Sequence, residues 1–252
     1  MEPDQYALMA RVECTHWWYA GMRAVVAALL ADVLPSRPHI LDAGCGTGGT
    51  TLWLRRFGPV VGVDLAAEAS AFWARRLLRA ARASVDALPF PAASFDLVTS
   101  FDVLYHRRVA DEISALRECW RVLRPGGLVL VRVPAYAWLL GAHDRAVQTR
   151  HRYTRGELVE ALRCAGFEVL RATYANSALL PLAIAKRLGE RWWGASQAEM
   201  AVPPAPINRA LHAVLAAEAC VLRRWPLPAG LSVLALGRKP LAEHARGTGG
   251  AA

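Results

Sequence analysis

His39-Ile40-Leu41-Asp42-Ala43-Gly44-Cys45-Gly46-Thr47-Gly48-Gly49 decides the fold. An apolar strand enters a glycine-rich turn. A second apolar run, Val60-Val61-Gly62-Val63, then ends on Asp64, twenty residues after Gly44. Glycines let backbone come close to a ligand where a side chain would collide. An acid at the end of the second strand can accept hydrogen bonds from two ribose hydroxyls. The pair reads as the front half of a nucleotide-cofactor site. Gly44, Gly46 and Gly49 alone fit G-x-G-x-x-G, a pattern that also serves dinucleotides.

Working outward, short apolar strands are expected at 39–43, 60–64, 83–86, 95–100 and 127–133, with helices at 50–57, 66–79 and 110–123 between them. That alternation implies an α/β fold with a doubly wound parallel sheet and right-handed crossovers. Residues 1–37 read as an N-terminal helical cap. Thr15 is placed to cap a helix in which Met22, Val25, Val26, Leu29, Leu30 and Leu34 recur at helical spacing, and Pro35 stops it. Downstream, Thr154-Arg155-Gly156-Glu157 is a capping box. Its helix runs to Cys164-Ala165, Gly166 suits the left-handed position after it, and a strand follows at 167–174.

Bulk properties narrow the class. The chain has 252 residues, 54% of them hydrophobic, enough for one domain with a sizeable core. Met1-Glu2-Pro3-Asp4 is acidic where a secretory segment is basic, and no apolar run reaches the roughly 18–20 residues that span a bilayer. The five cysteines are scattered without Cys-x-x-Cys, so reduced thiols and a cytoplasmic location are expected, with no metal. Net charge is +9, and only Lys186 and Lys239 of the 30 basic residues are lysine. The arginines are dispersed without a long tract, so no nucleic-acid partner is expected.

Three further motifs separate one cofactor from another. Asp42 stands two residues before Gly44. Asp86-Ala87-Leu88-Pro89-Phe90 precedes Ser94-Phe95-Asp96-Leu97-Val98. Leu123-Arg124-Pro125-Gly126-Gly127 opens Leu128-Val129-Leu130-Val131. With these, residues 38–170 resemble the class I S-adenosylmethionine-dependent methyltransferases of small-molecule type, and the resemblance resumes near 230–237. It implies a Rossmann-like, mostly parallel seven-stranded sheet with a last antiparallel strand, here Leu231-Ser232-Val233-Leu234-Ala235-Leu236. The intervening 175–228 read as a two-helix insertion, ~178–190 and ~206–224. One domain is expected over 1–240: cap 1–37, cofactor core 38–174, insertion 175–228 and last strand 229–240. A disordered tail is expected at 241–252.

The resemblance assigns S-adenosyl-L-methionine to Asp42, Gly44, Cys45, Gly46, Asp64, Leu65, Asp86, Ala87 and Phe101. Asp64 would take the ribose, Asp86 the adenine amino group, and the Ala87 amide a ring nitrogen. The helix after Gly48 would aim its amide end at the cofactor carboxylate. His106, after the fourth strand, is either a general base or a structural histidine bonded to its loop. Candidate substrate contacts are Trp17 and Tyr19 as a lid, Tyr105, and the cluster Tyr136, His143, His151, Arg152 and Tyr153 after the fifth strand. Glu218 joins them, since a carboxylate centred on the apolar stripe Ile207, Leu211, Val214, Val221, Leu222 and Trp225 needs a partner or a cavity. Methyl transfer to a small-molecule or lipid-linked acceptor is implied, oxygen first. The alternatives are an RNA or protein methyltransferase and a non-catalytic S-adenosylmethionine-binding subunit. Membrane-surface contact of the basic, Trp-bearing insertion and a homodimer contact both stay open.

Overall fold

The computed structural model describes residues 3–193 and 201–241. In chain order its first half comprises α1 (Pro3–Val12), α2 (Trp17–Leu30), β1 (Ile40–Ala43), α3 (Gly49–Leu54), β2 (Val60–Asp64), α4 (Ala67–Arg75), β3 (Ala80–Arg82) and β4 (Phe95–Phe101). Then follow α5 (Glu112–Val122), β5 (Leu123–Pro134), a 3-10 turn (Ala137–Leu139), α6 (Ala142–Ala146), α7 (Arg155–Cys164), β6 (Glu168–Ala175), α8 (Leu180–Trp193), α9 (Ala205–Leu222) and β7 (Ser232–Arg238).

The seven strands form one sheet in the order β3-β2-β1-β4-β5-β7-β6. Pairing is parallel from β3 to β5, and β7 lies antiparallel between β5 and β6. β1 is buried at every position, as a central parallel strand covered on both faces must be. One core layer packs Leu41, Val98, Val129 and Val131 against Leu116, Leu158 and Leu162. The other packs Ile40, Leu97, Leu130 and Leu234 against Met22, Val26, Leu215 and Leu222. The order reverses between β1 and β4, and there the carboxyl ends of the strands leave a crevice.

Local chemistry explains most element boundaries. Asp111 caps α5 by accepting from the Ile113 and Ser114 amides at 3.1 and 3.0 Å. The Thr154–Glu157 capping box opens α7 as its sequence predicts, and Gly166 takes φ +93° after it. At α2 the cap is His16, whose Nδ1 accepts from the Trp18 amide at 3.2 Å. Thr15, the expected cap, donates its hydroxyl back to Val12 O at 3.4 Å instead. The third strand lies at Ala80–Arg82, not 83–86, because pairing of Ala80 with Gly62 sets this edge strand rather than side-chain propensity.

The insertion is bound to the N-terminal cap. Leu215 of α9 sits so close over Gly21 of α2 that a Cβ there would lie 2.4 Å from Leu215 Cδ1. Asn208 accepts from the Trp17 amide and donates to Thr15 O, both at 2.9 Å, which fastens α9 to the start of α2. The buried face of α9 is Leu215, Glu218, Ala219 and Leu222, so the expected stripe is rotated: Ile207, Val214, Val221 and Trp225 are exposed. No helix among the described residues is long and apolar enough to cross a membrane. Of the expected disordered tail 241–252, everything after Leu241 lies outside the described residues.

Candidate functional site

A cavity of about 670 Å³ occupies the crevice. One end is the turn between β1 and α3. Gly44 and Cys45 both donate their amides to Val63 O at 2.8 Å, which folds the turn back over β2. Gly44 takes φ +90° and Gly46 +52°, the left-handed region that glycine enters without steric cost. A Cβ on Gly44 would sit 2.1 Å from Val103 Cγ2, so this glycine admits the loop after β4 as well as the turn.

Asp64, at the end of β2, accepts from the Gly46 amide (2.8 Å) and the Ala66 amide (2.9 Å). Burial raises its carboxyl above the usual range, partly offset by those amides. Asp42 is fully enclosed: the hydroxyls of Thr51 and Thr99 donate to it at 2.7 and 2.9 Å, and burial still pushes its carboxyl up to about 6. It therefore ties α3 and β4 to β1 from beneath the turn.

Glu13, which the sequence reading missed, closes this end. Its buried carboxylate accepts from Thr47 Oγ1 at 2.6 Å and from the Gly49 amide at 3.1 Å, and pairs with Arg76. Gly49 is the first residue of α3, so the amide end expected to face a ligand carboxylate is engaged by Glu13 instead. The same contacts hold α1 across the turn, where Tyr6 and Met9 join the cavity wall. These contacts add to apolar packing of α1, in which Tyr6 clusters with Cys45, Ala66, Ala69 and Trp73 and Met9 packs against them.

At the opposite end Arg132 rises from β5 into the cavity. Its guanidinium lies 4.8 Å from the Trp18 ring centre and 5.0 Å from that of Phe101, and both its Nε and Nη2 donate to Asp102. Buried Asp144 receives Arg152 (2.8 and 3.2 Å) and the Gly141 amide (2.7 Å), with Arg187 of α8 at 4.0 Å. Lys186 lines the same wall. Asn176, just past β6, also lines it, and its Oδ1 is buried without a hydrogen-bond partner.

His106 lies between these ends. Its Nδ1 accepts from the Arg108 amide at 3.0 Å. A neutral imidazole that accepts at Nδ1 carries its proton on Nε2 and has no second lone pair to offer. Burial lowers its pKa to about 4, so the neutral form persists. His16 shares the arrangement through the Trp18 amide, with its pKa also lowered by burial. Burial raises the Tyr19 and Tyr105 phenols, keeping both protonated at neutral pH.

Of the expected residues, Asp42, Gly44, Cys45, Gly46, Asp64, Leu65 and Phe101 line one cavity with Trp17, Tyr19, Tyr105, His106 and Arg152. Others lie elsewhere. Ser84 and Val85 form the wall where Asp86 and Ala87 were expected. The Ala87 amide donates to Ser84 O at 3.2 Å, which closes a turn. Asp86 bonds Ser84 through Oδ2 at 3.3 Å and keeps a buried Oδ1 without a partner. Tyr136 stacks on Tyr174 at 5.2 Å, away from the cavity. His151 meets Glu157 at 3.4 Å, and buried Tyr153 donates to Leu104 O at 3.3 Å; both anchor their loop. Glu218 accepts from the Asn176, Ser177 (2.8 Å) and Ala178 (3.4 Å) amides, which explains a carboxylate on a buried face without any substrate. The side chain of His143 lies outside those described.

The donor set suits an adenosine-bearing ligand. Bare backbone at Gly44 and Gly46 and the Asp64 carboxylate face the cavity together, and the Asp86 Oδ1 acceptor beside its wall lacks a donor. Comparison with known proteins agrees. A family model described as a methyltransferase domain matches residues 41–131. A probable S-adenosylmethionine-dependent methyltransferase of Mycolicibacterium smegmatis is 36% identical over 161 residues, 61% of this chain and 60% of that protein. The chain thus spans less than two thirds of that relative's length. A trans-aconitate 2-methyltransferase of Deinococcus radiodurans is 31% identical over 197 residues, 74% of this chain and 67% of the relative. In structure, a phosphoethanolamine N-methyltransferase of Haemonchus contortus, solved with S-adenosyl-L-methionine, aligns with a TM-score of 0.56 at 19% identity. That alignment covers 86% of this chain and 52% of the other, a likeness of fold.

Proposed function

This chain belongs to the class I S-adenosylmethionine-dependent methyltransferases, and on that premise we propose that it methylates an oxygen of a small-molecule or lipid-linked acceptor. The observation that carries the reading is one continuous cavity with a glycine turn and Asp64 at one end and a polar, arginine-bearing wall at the other. A cofactor and an acceptor need that arrangement, since reaction requires both to be held in contact and in line. Residues 1–240 would act as one domain.

Gly44, Cys45 and Gly46 would receive the cofactor on bare backbone, Asp64 would accept its sugar hydroxyls, and Leu65, Ser84 and Val85 would flank its base. Bound there, S-adenosylmethionine supplies a methyl group already activated by the positive charge on its sulfur. The protein's remaining task is orientation and exclusion of water. Tyr6, Met9 and Trp17 would cover the cavity from the N-terminal segment, and Phe101 and Arg132 would form its wall at the end opposite the glycine turn. His106, held through Nδ1 by the Arg108 amide, would help shape the acceptor side of the cavity rather than serve as the base its place in the sequence suggests.

Transfer from S-adenosyl-[methyl-³H]methionine to an extract of the source organism, separated into small-molecule, lipid, protein and RNA fractions, tests this. Label in the small-molecule or lipid fraction is the expected result. Label confined to RNA or protein, or no label at all, would overturn it.

A further inference from the structure

We propose that the methyl acceptor is read at two buried side-chain oxygens, Asn176 Oδ1 and Thr149 Oγ1. Asn176 takes a hydrogen bond from a hydroxyl or N–H of that molecule, and Glu218 is the residue that positions Asn176. The inference deepens the methyl-transfer reading and rests on it.

Unmet hydrogen-bonding capacity marks the place. Among the described residues that line the cavity, two carry a buried side-chain oxygen without a hydrogen-bond partner: Asn176 Oδ1 and Thr149 Oγ1. Folded proteins leave few such atoms, because each forfeits the hydrogen bonds it made to water. Both lie on the same half of the sheet. Asn176 follows β6, and Thr149 lies between α6 and α7, after β5, whereas the glycine turn and Asp64 belong to β1 and β2. The acids of that half already have arginine partners, Asp102 with Arg132 and Asp144 with Arg152. The two neutral oxygens have no such arrangement.

Asn176 is held by its backbone, not by its side chain. The residue is 3% exposed and sits at φ +60°, a left-handed conformation that asparagine tolerates better than most residues. Its amide donates to Glu218 Oε1, and the Ser177 and Ala178 amides donate to Glu218 Oε2 at 2.8 and 3.4 Å. Gly230 packs against the preceding residue, where a Cβ would fall 2.4 Å from Ala175 O. A fixed backbone with Oδ1 left unbonded is the arrangement a recognition group needs. Glu218 touches no substrate and acts through Asn176.

Thr149 is fixed in the same way. Its amide donates to Asp144 O at 2.8 Å, and it forms an antiparallel bridge with His106. A carbonyl oxygen only accepts, whereas a hydroxyl rotates to donate or accept. Asn176 therefore demands a donor on the acceptor molecule, and Thr149 adapts to the group it meets.

The test measures label transfer from S-adenosyl-[methyl-³H]methionine at rising amounts of the extract and compares the amount giving half-maximal rate. Asn176→Gly removes the carboxamide and keeps the left-handed backbone, which glycine enters freely. Thr149→Val removes the hydroxyl and keeps the branched shape. Each should raise the half-maximal amount roughly 5- to 50-fold, the loss for leaving one buried group unsatisfied. Cofactor affinity by calorimetry and the melting temperature should stay near the parent's. Asn176→Asp keeps an acceptor oxygen and should recover part of the loss. Glu218→Gln should also raise the half-maximal amount, and should add nothing further when combined with Asn176→Gly.

An unchanged half-maximal amount in either Asn176→Gly or Thr149→Val overturns the proposal and leaves methyl transfer standing. So does Asn176→Asp performing no better than Asn176→Gly, which would mean that the acceptor molecule offers no donor there. Additive losses in the Glu218→Gln combination overturn its positioning role. The Thr149→Val comparison decides alone if Asn176→Gly does not melt cooperatively. No label with the parent protein overturns the methyl-transfer reading and the proposal together.

Discussion

Replacing Glu13 with alanine should cost this protein about 3–5 kcal/mol, the range for removing one partner of a buried ion pair. Three partners lose their acceptor at once: the Thr47 hydroxyl, the Gly49 amide and the Arg76 guanidinium. Thr47 is fully buried, so its hydroxyl finds no water in exchange. Arg76 keeps Ala10 O at 3.2 Å, which places the loss toward the lower end of the range. For a chain of this length each kcal/mol lowers the melting temperature by roughly 2–4 °C, so a fall near 10 °C is expected. Glu13→Gln keeps an oxygen for the Gly49 amide but loses the charge and the second acceptor oxygen that Thr47 and Arg76 share, and should retain about half of the stability. Urea denaturation followed by tryptophan emission measures both variants. A loss below about 1 kcal/mol in Glu13→Ala would refute the reasoning, because α1 would then not be fastened to the turn through this carboxylate.

Three other consequences concern the turn and its neighbours. Gly44→Ala should destabilise by about 2–5 kcal/mol, combining left-handed strain with the clash against Val103; Gly46→Ala meets only the mobile end of Met9 and should cost about 1–2 kcal/mol, and equal losses in denaturation would contradict the contrast. Asp42, held near 6, binds its proton more tightly folded than unfolded, so its contribution is largest at low pH and is lost as pH rises through about 6. The stability of Asp42→Asn relative to the parent should therefore grow by about 2–3 kcal/mol between pH 4 and 7, and a pH-independent difference would contradict it. His106, with its pKa near 4, should show the Nε2–H tautomer by nitrogen NMR and stay neutral to below pH 5; its stabilising contribution is lost as pH falls from about 6.5 toward 4. Protonation near pH 6.5 would restore its candidacy as a base.

What the sequence discloses here follows from how local each cause is. The turn, β2 and Asp64 are legible because backbone conformation and strand ends are set within a few residues, and so is the Thr154 capping box. The third strand lies at Ala80–Arg82 rather than 83–86 because its register comes from pairing with Gly62, a contact made across sequence, and Ser84 and Val85 rather than Asp86 and Ala87 line the cavity. Glu218 looks like a cavity residue only until β6 ends beside it and turns three amides toward it. Glu13 acts on residues 34 and 36 positions away, and no periodicity announces that. Arg132 was the one missed residue with a visible sign: a charge inside the apolar run Leu128 to Val133. A guanidinium buried between two aromatic rings and a carboxylate accounts for it.

Isothermal titration of S-adenosylmethionine into the parent protein and into Asp64→Ala is the most telling experiment. Binding by the parent, weakened roughly 10- to 100-fold in a variant that still melts cooperatively, is what a carboxylate grip on the cofactor's sugar demands. Equal affinity in both proteins would mean that the end of β2 is not where the nucleoside is held.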